Sequence, residues 1–183
     1  MKALDIFVML SVGLLLQTCV SSQQFSDRIV AARGGFIPEG IEYDSNNGRI
    51  LTGSLSDGSV YEITFNGALV VAVADAELMS SVGIEADEPR NRLLVTNSDR
   101  SSPEGVAYLG VYVLDSGVKL AMVDLASTIE NPPADANHFA NDVAVSTRGV
   151  AYVTDTRMNI IYKVDTYYNG SVPEISPQIF KDR

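Results

Sequence analysis

A tandem repeat of short β-strand segments constrains the fold of this chain more than any other feature. Three units each contain four apolar segments separated by turns, several with pairs such as Asn47-Gly48 and Asp57-Gly58. Such pairs tolerate positive φ and mark hairpins between antiparallel strands. The segments are 39–44, 49–53, 60–63 and 68–73; then 82–87, 92–97, 110–115 and 118–123; then 141–145, 150–155, 159–165 and a weak one near 178–180. The sequence therefore predicts an all-β fold.

The spacing of the units indicates the kind of all-β fold. Equivalent positions fall at Gly40, Gly83 and Asp142, 43 and 59 residues apart, and the longer interval holds insertions at 101–108 and 128–140. A period near 40 to 50 residues with four strands per unit is typical of a β-propeller blade. Three four-stranded blades make about half of a six-bladed propeller, so we expect a fragment of a longer protein or pairing with a second copy. The alternative is an ordinary β-sandwich.

The N-terminus predicts export. Lys2 precedes an apolar run at 6–16, which is shorter than the roughly 20 residues that span a bilayer. We interpret residues 1–22 as a secretory signal peptide and 23–183 as a partial propeller domain. The alternative is an uncleaved N-terminal anchor. The predicted location is extracellular, with no membrane contact after cleavage.

Composition narrows the range of partners. The net charge is -10, and nucleic acid is not an expected partner because phosphate binding needs clustered lysines and arginines. The one cysteine, Cys19, lies in the predicted signal peptide, so stability must come from burial rather than disulfides. Open blade faces would expose apolar surface, which predicts self-association. The sequon at Asn169 is a candidate N-glycosylation site.

Several chemistries are excluded by residue type. The single histidine, His138, cannot form a zinc cluster with other histidines. We expect it to be a surface or hydrogen-bonding residue of an insertion loop, and Asp155 to tie down a turn. No G-x-S-x-G elbow, P-loop or G-x-G-x-x-G motif is present. Carboxylate and amide oxygens remain, and these suit a hard divalent cation.

Glu39, Val82 and Asn141 occupy equivalent positions at the starts of the first strands of the three units. If the units surround a channel, these positions face its axis, and Glu39 and Asn141 bring oxygen donors from separate sheets. The alternative is that both side chains only hydrogen-bond strand ends or solvent.

Two motifs carry a family resemblance. The stretch 38–44 reads Pro-Glu-Gly-Ile-Glu-Tyr-Asp, and Ala-Asn-Asp-Val-Ala-Val at 140–145 is followed at 149–155 by Gly-Val-Ala-Tyr-Val-Thr-Asp. In this order they resemble the senescence-marker-protein/gluconolactonase family, also called regucalcin-like, over about 36–165. Strictosidine-synthase-like propellers share similar strand patterns.

The resemblance implies a six-bladed propeller with one divalent cation, Ca²⁺ or Zn²⁺, in its channel, and hydrolysis of small-molecule lactones or esters. It makes Glu39 and Asn141 metal ligands, and Asn97 and Arg100 weaker candidates for substrate contact. The family's catalytic aspartate belongs to a blade beyond Arg183. We therefore expect an incomplete hydrolase, or alternatively a non-catalytic extracellular binding module.

Overall fold

The computed structural model describes residues 27–165 and, as backbone, the strand at 177–180. The predicted signal peptide and Asn169 lie outside these residues. In chain order the strands are β1 (Pro38–Asp44), β2 (Arg49–Ser54), β3 (Val60–Ile63), β4 (Leu69–Val73), β5 (Ser81–Asp87), β6 (Arg92–Asn97), β7 (Gly105–Val106), β8 (Tyr108–Val113), β9 (Lys119–Asp124), β10 (His138–Val145), β11 (Val150–Asp155), β12 (Ile160–Asp165) and β13 (Pro177–Phe180). Among the described residues, no helix is long and apolar enough to cross a membrane.

The strands form three sheets. The first has the order β1-β2-β3-β4, the second β5-β6-β8-β9, and the third β13-β12-β11-β10-β7. Apart from β7, neighbouring strands in each sheet are antiparallel. The predicted all-β class and the three repeated sheets are therefore confirmed, and the described strands form three sheets rather than the two of a sandwich.

The third sheet differs from the prediction of four strands because the first insertion adds one. Gly105 adopts φ +64°, and β7 pairs in parallel with the start of β10, matching His138 with Gly105. The His138 amide donates to the Glu104 carbonyl at 2.9 Å. A 3-10 turn at Ala126–Thr128 leads into the second insertion. The two insertions therefore lie at the same end of the third sheet.

The second sheet is covered on both faces. One core, between the first and second sheets, includes Leu51 and Leu93, and another, between the second and third sheets, includes Leu94 and Val153. Successive residues of β6 point to opposite faces, and all of them are buried. This explains why Leu93, Leu94 and Val95 follow one another in β6 without alternating with polar residues.

The first strands of the three sheets are neighbours, with β5 between β1 and β10. A Cβ built on Gly83 would lie 2.7 Å from the Asn141 carbonyl oxygen and 2.7 Å from the Asp142 Cα. A Cβ built on Gly40 would collide with the Val82 carbonyl oxygen. Glycine at both positions therefore allows direct backbone contact between adjacent first strands.

A β-bulge recurs near the start of each first strand. The register shifts lie between Glu39 and Ile41, between Ser81 and Ile84, and between Ala140 and Val143. A threonine of the neighbouring strand bonds each bulge: Thr52 Oγ1 to the Gly40 carbonyl (2.8 Å), the Gly83 amide to Thr96 Oγ1 (2.6 Å) and the Asp142 amide to Thr154 Oγ1 (3.1 Å). Because bulges change the direction of nearby side chains, this repeat sets where the residues beside it point.

The contact between first strands also brings acidic residues together. Burial raises the pKa of Glu42, and the charge of Glu85 raises it further. Burial likewise raises the pKa of Glu85. A hydrogen bond from the Val145 amide lowers this pKa, and the charge of Asp142 raises it. A raised carboxyl pKa means that the fold opposes ionisation. These two groups therefore favour folding at acidic pH and lose that contribution as the pH rises through their folded pKa.

We expect Gly83→Ala to destabilise the fold by about 1–3 kcal/mol, because the added methyl group overpacks a backbone contact that cannot move aside easily. Denaturant unfolding of both proteins measures the change. Gly34→Ala is the matched control, since a Cβ there meets no atom within 4 Å. Equal stability of the two variants would show that the strands do not approach as closely as described.

Candidate functional site

A cavity of about 370 Å³ lies at the starts of β1, β5 and β10. Its lining residues are Glu39, Leu55, Val82, Arg100, Phe139, Asn141, Thr156 and Arg157. The structure thus brings Glu39, Val82 and Asn141 together, one from each first strand. The three bulges and the glycine contacts position these residues, since each lies beside a bulge.

Arg100 and Asn97, the two weaker candidates for substrate contact, lie in different environments. Arg100 is exposed and lines the cavity. Asn97 is fully buried: its Oδ1 accepts hydrogen bonds from the Met79 amide at 2.8 Å and the Ser80 amide at 3.2 Å, and its Nδ2 donates to the Glu77 carbonyl at 2.7 Å. Asn97 therefore fastens the segment before β5, and its contact with a substrate stays a prediction.

Sequence reasoning missed Arg157. It lies in the turn after β11, where Asp155 Oδ1 accepts hydrogen bonds from the Arg157 and Met158 amides, both at 3.2 Å. The prediction that Asp155 ties down a turn is confirmed. The guanidinium of Arg157 donates to Asn137 Oδ1 at 2.5 Å and lies 5.0 Å from the centre of the Phe139 ring. In the sequence, Arg157 stands two residues after Asp155, and this spacing could have indicated that the turn held by Asp155 carries Arg157.

The charge of the cavity differs from that of the whole chain. Its lining contains two guanidinium groups, Arg100 and Arg157, and one carboxylate, Glu39, whereas the chain carries a net charge of -10. Guanidinium groups match carboxylates in shape and donate two parallel hydrogen bonds to them. The lining therefore favours an anionic ligand of small size.

The same lining is a poor resident site for a divalent cation. Glu39 and Asn141 supply suitable oxygens, but Ca²⁺ takes about six to eight of them, and a catalytic zinc usually has about three protein ligands. Within residues 27–165, no group of three His, Cys, Asp or Glu side chains is placed to hold a metal. Two nearby guanidinium groups add repulsion. The described residues of this cavity thus supply the right type of donor atom for a divalent cation, but too few of them.

A second and larger cavity, of about 490 Å³, lies between the two insertions and includes His138 in its lining. His138 is 7% exposed and begins β10. The expectation that it would lie on the surface of a loop is therefore wrong, because pairing with β7 draws it into the sheet. The expectation of a hydrogen-bonding role is confirmed by the 2.9 Å contact of its Nδ1 with Asp155 Oδ2.

The comparisons with known proteins add no assignment to this geometry. No family model matches the chain, and no curated protein is significantly similar to it. The resemblance to the gluconolactonase family stays a prediction, as do the metal and substrate roles that it implies.

Proposed function

We propose that this chain is a partial β-propeller and that the cavity at its first strands binds a small carboxylate-bearing molecule without hydrolysing it. The observation that carries this proposal is the presence of Arg100 and Arg157 in the lining of one cavity together with Glu39 and Asn141. The predicted secretion would make the protein an extracellular binding module.

The propeller proposal is supported by how the sheets meet. Three repeated antiparallel sheets follow each other in chain order, with the second between the first and third. Their first strands are adjacent, and backbone contacts at Gly40 and Gly83 join them. First strands around a shared axis are expected of blades, whose innermost strands line a central channel.

The ligand class follows from the polar groups of the cavity. Arg100 and Arg157 suit a carboxylate, and Glu39 and Asn141 can accept or donate hydrogen bonds with hydroxyl groups. A polyhydroxylated acid combines both features. Such acids are also what lactones and sugar-derived esters release on hydrolysis, so the proposed ligand is close in chemistry to the predicted lactone or ester.

We expect gluconate to bind the chain and Arg100→Gln to weaken that binding about tenfold or more, because the variant removes a charge-assisted hydrogen bond. Isothermal titration calorimetry gives both affinities. Sorbitol, which has the same carbon chain without the carboxylate, should bind much more weakly.

Arg148→Gln is the matched control for this experiment, since Arg148 is exposed and does not line the cavity. Its affinity for gluconate should equal that of the unmodified chain. Equal binding of sorbitol and gluconate, or equal losses in both arginine variants, would contradict a carboxylate site at this cavity.

A second candidate, an incomplete metal-dependent lactone hydrolase, is favoured by the shared cavity of Glu39 and Asn141. A bound Ca²⁺ or Zn²⁺ would polarise the carbonyl of a lactone or ester. Glu39 and Asn141 would be its ligands in this chain. Residues 27–165 contain no group of three metal ligands, and the cavity lining has no carboxylate besides Glu39, so we rank this function second.

A metal titration separates the two candidates. For a binding module we expect the melting temperature to change equally little in the unmodified chain and in Glu39→Gln when Ca²⁺ or Zn²⁺ is added. Differential scanning fluorimetry with and without EDTA measures this. A rise that is present in the unmodified chain and lost in Glu39→Gln would favour the hydrolase instead.

Self-association is proposed for the face of the first sheet that points away from the second sheet. Ile41, Tyr43 and Val71 on this sheet are 72%, 56% and 54% exposed. Ile41 pairs with Thr52, and Tyr43 with Ile50, and Ile41 and Ile50 line a shallow groove on this face with Ile63. An apolar patch on a sheet face usually marks an interface.

We therefore expect sedimentation velocity to show a dimer or larger species, and Ile41→Lys to shift the protein toward the monomer. Val118→Lys is the control, because Val118 is 58% exposed in the turn between β8 and β9. A strictly monomeric unmodified chain would refute association through this face.

A further inference from the structure

His138 is held in a buried polar cluster outside the cavity of the first strands. Its side chain is 9% exposed, and the Asp155 side chain is 0% exposed. His138 Nδ1 lies 2.9 Å from Asp155 Oδ2, and the Tyr162 hydroxyl donates to the same oxygen at 3.2 Å. The Nδ1 side of the His138 ring is therefore held in place by Asp155.

The hydrogen bonds of Asp155 determine which nitrogen of His138 carries the proton. Asp155 Oδ1 accepts the amides of Phe139, Arg157 and Met158 at 3.0, 3.2 and 3.2 Å. A carboxylate accepts hydrogen bonds, so His138 Nδ1 is the ring nitrogen that donates to Asp155, and Nε2 is the one that can accept a hydrogen bond from a ligand. Among the described residues, Nε2 has no hydrogen-bond partner.

The cavity that His138 lines combines acidic side chains with an apolar wall. Its volume of about 490 Å³ falls in the range of small-molecule pockets. Glu104 and Asp124 line it with exposed carboxylates, and its lining contains no lysine or arginine. Ile129, Pro132 and Pro133 supply an apolar wall.

We propose that this second cavity binds a small organic ammonium ion. An N–H of the ligand donates to His138 Nε2, Glu104 and Asp124 offset its charge, and its apolar part packs against Ile129 and the prolines. A metal ion does not suit the cavity, because the described residues contain no metal-binding group of three acidic or histidine side chains. The net charge of -10 also favours approach of a cation. This proposal does not depend on the carboxylate site.

The test uses the single histidine of the chain as a reporter. Long-range ¹H–¹⁵N correlation spectra of the full chain at mildly alkaline pH should show the Nδ1–H tautomer. Titration with phenethylammonium chloride should shift the Nε2 resonance in a saturable way. Its neutral analogue 2-phenylethanol should produce a much smaller shift over the same concentrations.

Variants distinguish charge recognition from apolar binding. The double variant Glu104→Gln/Asp124→Asn should weaken phenethylammonium binding about threefold to tenfold, as expected for two solvent-exposed charges. Asparagine at 124 keeps an oxygen that can accept the Ser127 amide, which Asp124 Oδ1 accepts at 3.1 Å. Asp135→Asn is the control, because it removes a negative charge from the second insertion at a residue outside the lining.

Three results would overturn the proposal. A shift of equal size with 2-phenylethanol would show an apolar pocket without charge recognition. Equal affinity in the double variant and in Asp135→Asn would show that the two carboxylates do not take part. An Nε2 resonance that stays unchanged at saturating phenethylammonium would show that His138 serves only to join β10 to Asp155 and Tyr162.

Discussion

The backbone contact between the first strands of the three sheets is the constraint on which the rest of the structure depends. Gly83 allows β5 to touch β10, and Gly40 allows β1 to touch β5. Only this approach brings a glutamate, a valine and an asparagine from three sheets to one cavity. It also has a cost, since burial and repulsion from neighbouring carboxylates raise the pKa values of Glu42 and Glu85 on these strands. A functional reason for close approach would explain why that cost is tolerated.

The two cavities differ in charge although they belong to one acidic chain. The cavity of the first strands contains Arg100 and Arg157, while the cavity between the insertions contains Glu104 and Asp124 without a lysine or arginine. Net charge alone would predict attraction of cations everywhere. At the first cavity the two arginines favour an anion instead. Charges within contact distance of a ligand outweigh distant charges that solvent screens.

Sequence alone predicted the features that are encoded locally. Turn pairs and apolar segments gave the strands, and the repeat placed Glu39 and Asn141 in equivalent positions that the fold brings to one cavity. The features it missed depend on contacts between distant residues. The parallel pairing of β7 with β10 joins two insertions that have no strand pattern, and the Asn97 side chain accepts hydrogen bonds from the amides of Met79 and Ser80.

One buried carboxylate connects the two candidate sites. Asp155 Oδ2 orients the His138 ring toward one cavity, and Oδ1 fixes the turn that carries Arg157 to the other. Both oxygens are fully engaged, because Tyr162 and the Phe139 amide complete their hydrogen bonds. Moving either the turn or the ring would break hydrogen bonds to a buried carboxyl group, which is costly. Asp155 therefore supports both candidate sites, each through a different oxygen.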